Sequence, residues 1–142
     1  MGKVMAKIKL TNEVDLQALD RGLIRRDEVR SVEIEALVDT GATQLVIPAD
    51  VAAFLGLQTV TMRRVRYANG QTASIPCMGA IRFEILGRAM VCDALVEATG
   101  TTALIGQIPL ENLDLLVDPK TREVRVNPES PDMPLLDLLA VA

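Results

Sequence analysis

Ala36-Leu37-Val38-Asp39-Thr40-Gly41-Ala42-Thr43-Gln44-Leu45-Val46-Ile47-Pro48 consists of two apolar runs separated by an acid, a hydroxyl and a glycine. An acid at the end of an apolar strand, next to a glycine that permits a sharp turn and close approach of another backbone, is placed where it is half buried. A lone carboxylate there costs several kcal/mol unless it is protonated or hydrogen-bonded. The plain alternative is an Asp-Thr-Gly surface turn, and the apolar flanks count against it.

Working outward, Val32, Ile34, Ala36 and Val38 alternate with Glu33 and Glu35, the period of a strand with one wet face. Val4, Ala6, Ile8 and Leu10 alternate in the same way with Lys3, Lys7 and Lys9, while the polar stretch 11–27 between the two runs reads as loop. Downstream, Pro48 opens a helix through Leu55 that Gly56 ends in a left-handed cap. Val60 to Ile75 reads as strand, turn, strand around Asn69-Gly70, a dipeptide suited to a type I′ hairpin. Ile81, Phe83 and Ile85 form a strand that turns at Gly87-Arg88 and returns as Met90 to Val96. Asp118-Pro119-Lys120-Thr121 divides residues 113–117 from 123–127. Many short strands with one or two short helices predict a closed or sandwich-like all-β domain. Its range is 1–127, followed by a proline-containing tail, 128–142, with an apolar end at 135–141.

Composition sets the limits of the chemistry. A chain of 142 residues fits one domain. Aromatics make up 2% of it, so the core is built from Val, Leu, Ile, Ala and Met. There is no histidine, which removes Ser-His and Cys-His nucleophiles, imidazole bases and histidine-containing zinc sites. No metal or other cofactor is expected. A net charge of −4 without a basic face argues against nucleic acid as a partner. No apolar run approaches the roughly 20 residues of a membrane span, and Lys3, Lys7 and Lys9 interrupt any apolar leader. Cys77 and Cys92 are not in C-x-x-C spacing and read as two reduced thiols, which predicts a reducing, cytoplasmic setting. Arg63, Arg64 and Arg66 read as a solvated strand face, with selection of acidic or polar substrate residues as the alternative.

With those residues in view, the chain resembles the retropepsin-like family of aspartic proteases, which includes the retroviral proteases and their cellular relatives. Residues 36–48 are similar to the family's active-site block, and Ala103-Leu104-Ile105-Gly106 resembles the hydrophobic-hydrophobic-Gly element that threads beside the catalytic turn. Pro109 to Leu113 occupies the place of the short helix that follows. Arg66 to Gln71 lies where the family has its flap, and order and spacing agree over residues 28–127. The resemblance implies a single-domain acid-protease barrel and peptide-bond hydrolysis. In it Asp39 is the catalytic carboxylate, Thr40 hydrogen-bonds across a dimer, and Gly41 offers its carbonyl to the substrate. Ala42 leaves room for substrate, and the flap tip Ala68, Asn69 and Gly70 closes over the bound peptide. One Asp-Thr-Gly per chain implies a homodimer in which two Asp39 carboxylates activate a water, with no covalent intermediate and no metal. The resemblance does not extend to the ion pair that many retroviral members form between an acid after Asp-Thr-Gly-Ala and an arginine after the second-block glycine. Thr43 and Gln107 stand at those places. A catalytically silent peptide-binding or scaffold module is the alternative function. A phosphotransferase aspartate is disfavoured, because the chain lacks the alternating helices of the α/β folds that carry one.

Overall fold

The computed structural model describes residues 2–138, so Met1 and the last part of the apolar tail end, Leu139 to Val141, lie outside the described residues. In chain order the strands are β1 (Met5–Asn12), β2 (Ser31–Val38), β3 (Leu45–Pro48), β4 (Gln58–Arg66), β5 (Thr72–Ile85), β6 (Arg88–Glu97), β7 (Ala103–Ile105), β8 (Leu115–Asp118) and β9 (Glu123–Val126). The helices are α1 (Glu13–Asp20), α2 (Ala49–Phe54) and α3 (Gln107–Asn112), with a 3-10 turn at Arg26–Glu28.

The order β1-β2-β7-β3-β6-β5 is a ring, because β5 returns to β1 through Leu10–Phe83 and Thr11–Arg82. A closed six-stranded barrel results, and closure removes the sheet edges that would otherwise template aggregation. β4 pairs only with the first half of β5 and stands outside the ring, while β8 and β9 pair with each other. The alternation that marked β1 is kept: Val4, Ile8 and Leu10 are buried and Lys3, Lys7 and Lys9 are exposed. Ile8, Leu10, Leu45, Ile47, Ile81, Phe83 and Ile105 fill the interior, each contributing roughly 1.5–3 kcal/mol of transfer free energy. The core is aliphatic except for Phe83, since Phe54 is on the surface.

The stretch 11–27 is not the loop that its polarity suggests. Thr11 and Asn12 end β1, and residues 13–20 form α1, which brings the α-helices among the described residues to three. The Asn12 side chain accepts from the Asp15 N–H at 3.0 Å, an N-cap, and donates to the Leu55 carbonyl at 2.8 Å. The acids of the first turn are buried and paired. Arg82 donates to both oxygens of Glu13 at 2.8 and 3.1 Å, and Arg30 does the same to Asp15 at 2.9 and 3.0 Å. These partners lie 69 and 15 residues away, so no local pattern announces them.

Hairpin chemistry is also distributed differently from the reading of the sequence. At Asn69-Gly70 only Gly70 has positive φ, +85°. Gly70 N–H donates to the Tyr67 carbonyl at 2.9 Å and Tyr67 N–H to the Gln71 carbonyl at 2.8 Å. That is a three-residue loop with a left-handed last residue, not a type I′ turn. The two-residue loop with both φ values positive is Leu86-Gly87, at +51° and +77°. Pro48 likewise sits one place earlier than expected, as the extended N-cap of α2, with Gly56 left-handed at φ +66° after the helix.

At the tail, the nearly buried Arg88 donates to the carbonyls of Leu113, Asp114 and Ser130. Asp114 in turn accepts from Ser130 Oγ, Asn127 Nδ2 and the Leu135 N–H. The chain after β9 is thereby tied to the barrel as far as Leu135.

Two outcomes follow from these elements. The Arg82 and Arg30 guanidiniums hold the Glu13 and Asp15 carboxyls below their ordinary values of 4.5 and 3.8. Because the folded values are depressed, the stabilisation is present above those ordinary values and is lost as pH falls through the folded ones. Urea unfolding midpoints should therefore decline below about pH 4.5, and Glu13→Gln should flatten that decline; an unchanged pH profile in the variant would remove Glu13 from the account. Leucine in the left-handed region costs about 1–2 kcal/mol. Leu86→Asn, which creates Asn-Gly where both φ values are positive, should raise the thermal midpoint by roughly 3 °C, and a lower midpoint would contradict this strain.

Candidate active site

Asp39 follows directly on β2 and is half buried, with Thr40 and Gly41 exposed and Ala42 half buried. The turn closes on its own acid: the Gly41 N–H donates to Asp39 Oδ1 at 2.9 Å and the Ala42 N–H to the Asp39 carbonyl at 3.0 Å. A Cβ on Gly41 would stand 3.1 Å from Asp39 Oδ1, so glycine here gives the carboxylate room. Among the described residues, Asp39 Oδ2 and the Thr40 hydroxyl make no hydrogen bond within the chain.

The turn is fastened from outside by the second sequence block. The Asp39 N–H donates to the Ile105 carbonyl at 3.0 Å, and the Gln107 and Ile108 N–H groups donate to the carbonyls of Ala42 and Thr43 at 2.8 and 2.9 Å. The first N–H groups of a helix have no partner within it, so the start of α3 is satisfied by the turn that follows Asp39. Gly106 makes the crossing possible. A Cβ at that position would lie 2.5 Å from the Gln44 carbonyl oxygen and 2.6 Å from the Thr43 carbonyl carbon. Thr43 enters this seam through its main chain, and the Gln107 side chain turns along α3 to Glu111 at 2.7 Å. Main-chain bonds occupy the places where an ion pair was the alternative. Beside them Gln44 Oε1 is buried without a hydrogen-bond partner.

Strand register supplies a wall that the motif reading missed. Leu37 lies opposite Leu104, Leu104 opposite Val46, Val46 opposite Leu95, and Leu95 opposite Cys77. Directly paired residues share a face, and Asp39 is two residues from Leu37, on the same side. Ala36, Leu45, Ala94 and Ile105, their strand neighbours, point into the core, whereas Leu37, Leu104, Val46 and Leu95 are only half buried. A row of aliphatic side chains therefore runs across the barrel surface on the side of Asp39. The signal was present in the sequence. Leu37-Val38, Leu45-Val46-Ile47 and Leu104-Ile105 are continuous apolar runs, and a strand cannot turn consecutive side chains to one core.

The same face continues into the hairpin of β4 and β5. Thr61 pairs with Cys77, Arg63 with Ile75 and Val65 with Ala73, while Arg64–Ser74 and Arg66–Thr72 occupy the opposite face. Tyr67 donates its hydroxyl to Glu97 at 3.0 Å, which ties the neck of the hairpin to the end of β6 and pushes the phenol upward from its usual range. The expected flap residues Ala68, Asn69 and Gly70 form the exposed tip, and among the described residues no hydrogen bond joins that tip to the Asp39 turn. Asp39, Thr40, Gly41 and Ala42 are thus brought together, and the tip stands apart on its own hairpin. Two cavities, of about 420 and about 590 Å3, lie elsewhere, and Asp39 lines neither. Cys77 and Cys92 are free thiols. Burial pushes Cys92 up to about 12 and raises Cys77 as well, so both are poor nucleophiles.

Residues 28–112 match the family model described as "gag-polyprotein putative aspartyl protease". No curated protein matches the chain. The crossing at Gly106 carries a test of the site's architecture: Gly106→Ala should lower unfolding stability by at least about 2 kcal/mol, because the added methyl meets backbone and not a movable side chain. Urea denaturation with an unchanged midpoint would show that the seam can open at little cost.

Proposed function

Since the chain belongs to the gag-polyprotein aspartyl protease family, we propose that it is an aspartic endopeptidase that works as a homodimer, each chain supplying one Asp39. The observation that carries this reading is the state of that side chain. It is half buried on the apolar-walled face, with one carboxylate oxygen held by the Gly41 N–H and the other without an intrachain partner among the described residues. A water-activating dyad needs a second carboxyl at that free oxygen, and the sequence contains a single Asp-Thr-Gly.

In the dimer, two neighbouring carboxyls share one proton, because two adjacent like charges cannot both ionise cheaply. The unprotonated Asp39 takes a proton from a water held between the pair. That water attacks the scissile carbonyl, and the protonated Asp39 gives its proton to the developing oxyanion. The Asp39 that took the water's proton then gives it to the leaving nitrogen while its partner takes one from the gem-diol. The C–N bond breaks, the two peptide ends are released, the dyad regains its shared proton and no covalent enzyme intermediate arises. The Thr40 hydroxyl, exposed at the turn, bonds across the dimer, and the Gly41 carbonyl holds the substrate main chain. Ala42 leaves space for it, and Ala68 to Gly70 close over the peptide and exclude water. The row from Leu37 to Leu95 receives apolar substrate side chains.

Asp39→Asn preserves the Gly41 hydrogen bond and should abolish cleavage of a peptide library at mildly acidic pH with fold and association unchanged. Titrating this variant into wild-type protein should also lower the activity per wild-type chain, since mixed pairs lack a complete dyad. Cleavage that survives the substitution would sink the enzyme reading; activity indifferent to added variant, with subunit exchange verified, would sink the shared dyad.

A further inference from the structure

From Val51 to Gly79 the chain carries Arg63, Arg64 and Arg66 and no carboxylate, although the protein as a whole has a net charge of −4. The other arginines that make ion pairs, Arg25, Arg30, Arg82 and Arg125, do so within the chain. Among the described residues none of the three hairpin arginines has such a partner. The register separates them. Arg64 and Arg66 share the outer face with Ser74 and Thr72, whereas Arg63 shares the covered face with Ile75, Val65 and Ala73. That face continues through Cys77 into the wall of Leu95, Val46, Leu104 and Leu37. Burial and Asp93 raise the Cys77 thiol and Arg63 opposes them, in keeping with the register that sets Arg63 on the side of Cys77.

Of the carboxylates nearest to it in the register, Glu97 accepts the Tyr67 hydroxyl, and Asp93, whose Oδ1 lies over Gly79, faces the same Cys77 thiol but forms no ion pair with Arg63. Arg63 is therefore an exposed cation on the hairpin, at the edge of an aliphatic surface, and among the described residues no carboxylate is bonded to it. A guanidinium in that setting is matched by a planar carboxylate on a chain lying along the wall.

Building on the endopeptidase reading above, we propose that Arg63 is a specificity residue that receives an Asp or Glu side chain of the substrate, several positions from the scissile bond, while apolar residues occupy the wall. Preferred substrates are then peptides in which aliphatic residues at the cleavage site are followed or preceded by an acid. Arg64 and Arg66 point to the other side and do not read the sequence.

The test uses full-length protein and peptide pairs that differ only by Glu against Gln at each position around a cleaved bond. Both kcat/KM for wild type and binding to the Asp39→Asn variant are measured. At one position wild type should prefer Glu by roughly five- to tenfold, a span typical of one charge-assisted contact at a partly covered site. Arg63→Gln should erase that preference, Arg63→Glu should transfer it to Lys, and Arg64→Gln should retain it, all with unchanged thermal midpoints. Cleavage without any acidic preference, or a preference that survives Arg63→Gln, would overturn the role of Arg63 and leave the protease reading intact. Neither cleavage nor binding of any peptide by wild type would overturn both.

Discussion

The passage of Gly106 against the main chain of Thr43 and Gln44 is the constraint on which the rest of the site depends. Two segments about sixty residues apart in sequence must cross at a distance that excludes a methyl group. Only then do the Gln107 and Ile108 N–H groups reach the carbonyls of Ala42 and Thr43, and the Asp39 N–H reach Ile105. The first two bonds serve two elements at once, capping the start of α3 and pinning the turn that carries the acid, and the third ties that turn to the end of β7. Because the seam is made of main-chain groups, its geometry is indifferent to the side chains at 43 and 107. An ion pair at those places is then unnecessary for holding the turn, and Gln107 is free to bond Glu111 along its own helix.

Once the turn is fixed, strand alternation does the remaining positioning. β3 and β7 are apolar on both faces, one packed into the barrel and the other half covered, and β2 and β6 add Leu37 and Leu95 to the half-covered side. Placing Asp39 two residues after Leu37 sets the acid on the half-covered face without any further device. The hairpin of β4 and β5 grows out of the same sheet, so its inner side is set by register with Cys77 and not by a separate fold decision. The result is an aliphatic surface that lies beside a carboxylate and continues into the inner side of a hairpin.

How much of this was legible in the sequence differs by element. Asp39-Thr40-Gly41 and Leu104-Ile105-Gly106 were legible because their chemistry is local: a turn after an apolar strand, and a glycine where nothing larger fits. The strands with one wet face, β1 and β2, were legible from alternation, as was the aliphatic core from the scarcity of aromatics. α1 was not, since its stabilisation comes from Arg82 and Arg30, residues whose proximity only the closed barrel creates. The turn after Ile85 was legible from Gly87 but read one place late, at Gly87-Arg88, because leucine argues against the positive φ that Leu86 adopts. The wall of Leu37, Val46, Leu95 and Leu104 lay between these cases. Continuous apolar runs advertise two covered faces, but which strands stand side by side is decided by long-range pairing.

Four carboxylates are built into the frame of the protein, and the acid of the Asp-Thr-Gly turn is not one of them. Glu13 and Asp15 are each clamped by a guanidinium, Asp114 accepts from Ser130, Asn127 and Leu135, and Asp118 accepts from the Lys120 and Thr121 N–H groups. All four are held below the ordinary range by donors that favour the charged form, which makes them fixed anions in a polar frame. Asp39 differs in its contacts: among the described residues it has a single backbone donor and no cation, and one of its oxygens bonds nothing in the chain. On the proposed reading, the oxygen of the Asp-Thr-Gly acid that is left unengaged beside the aliphatic wall is the one that meets the partner's carboxyl.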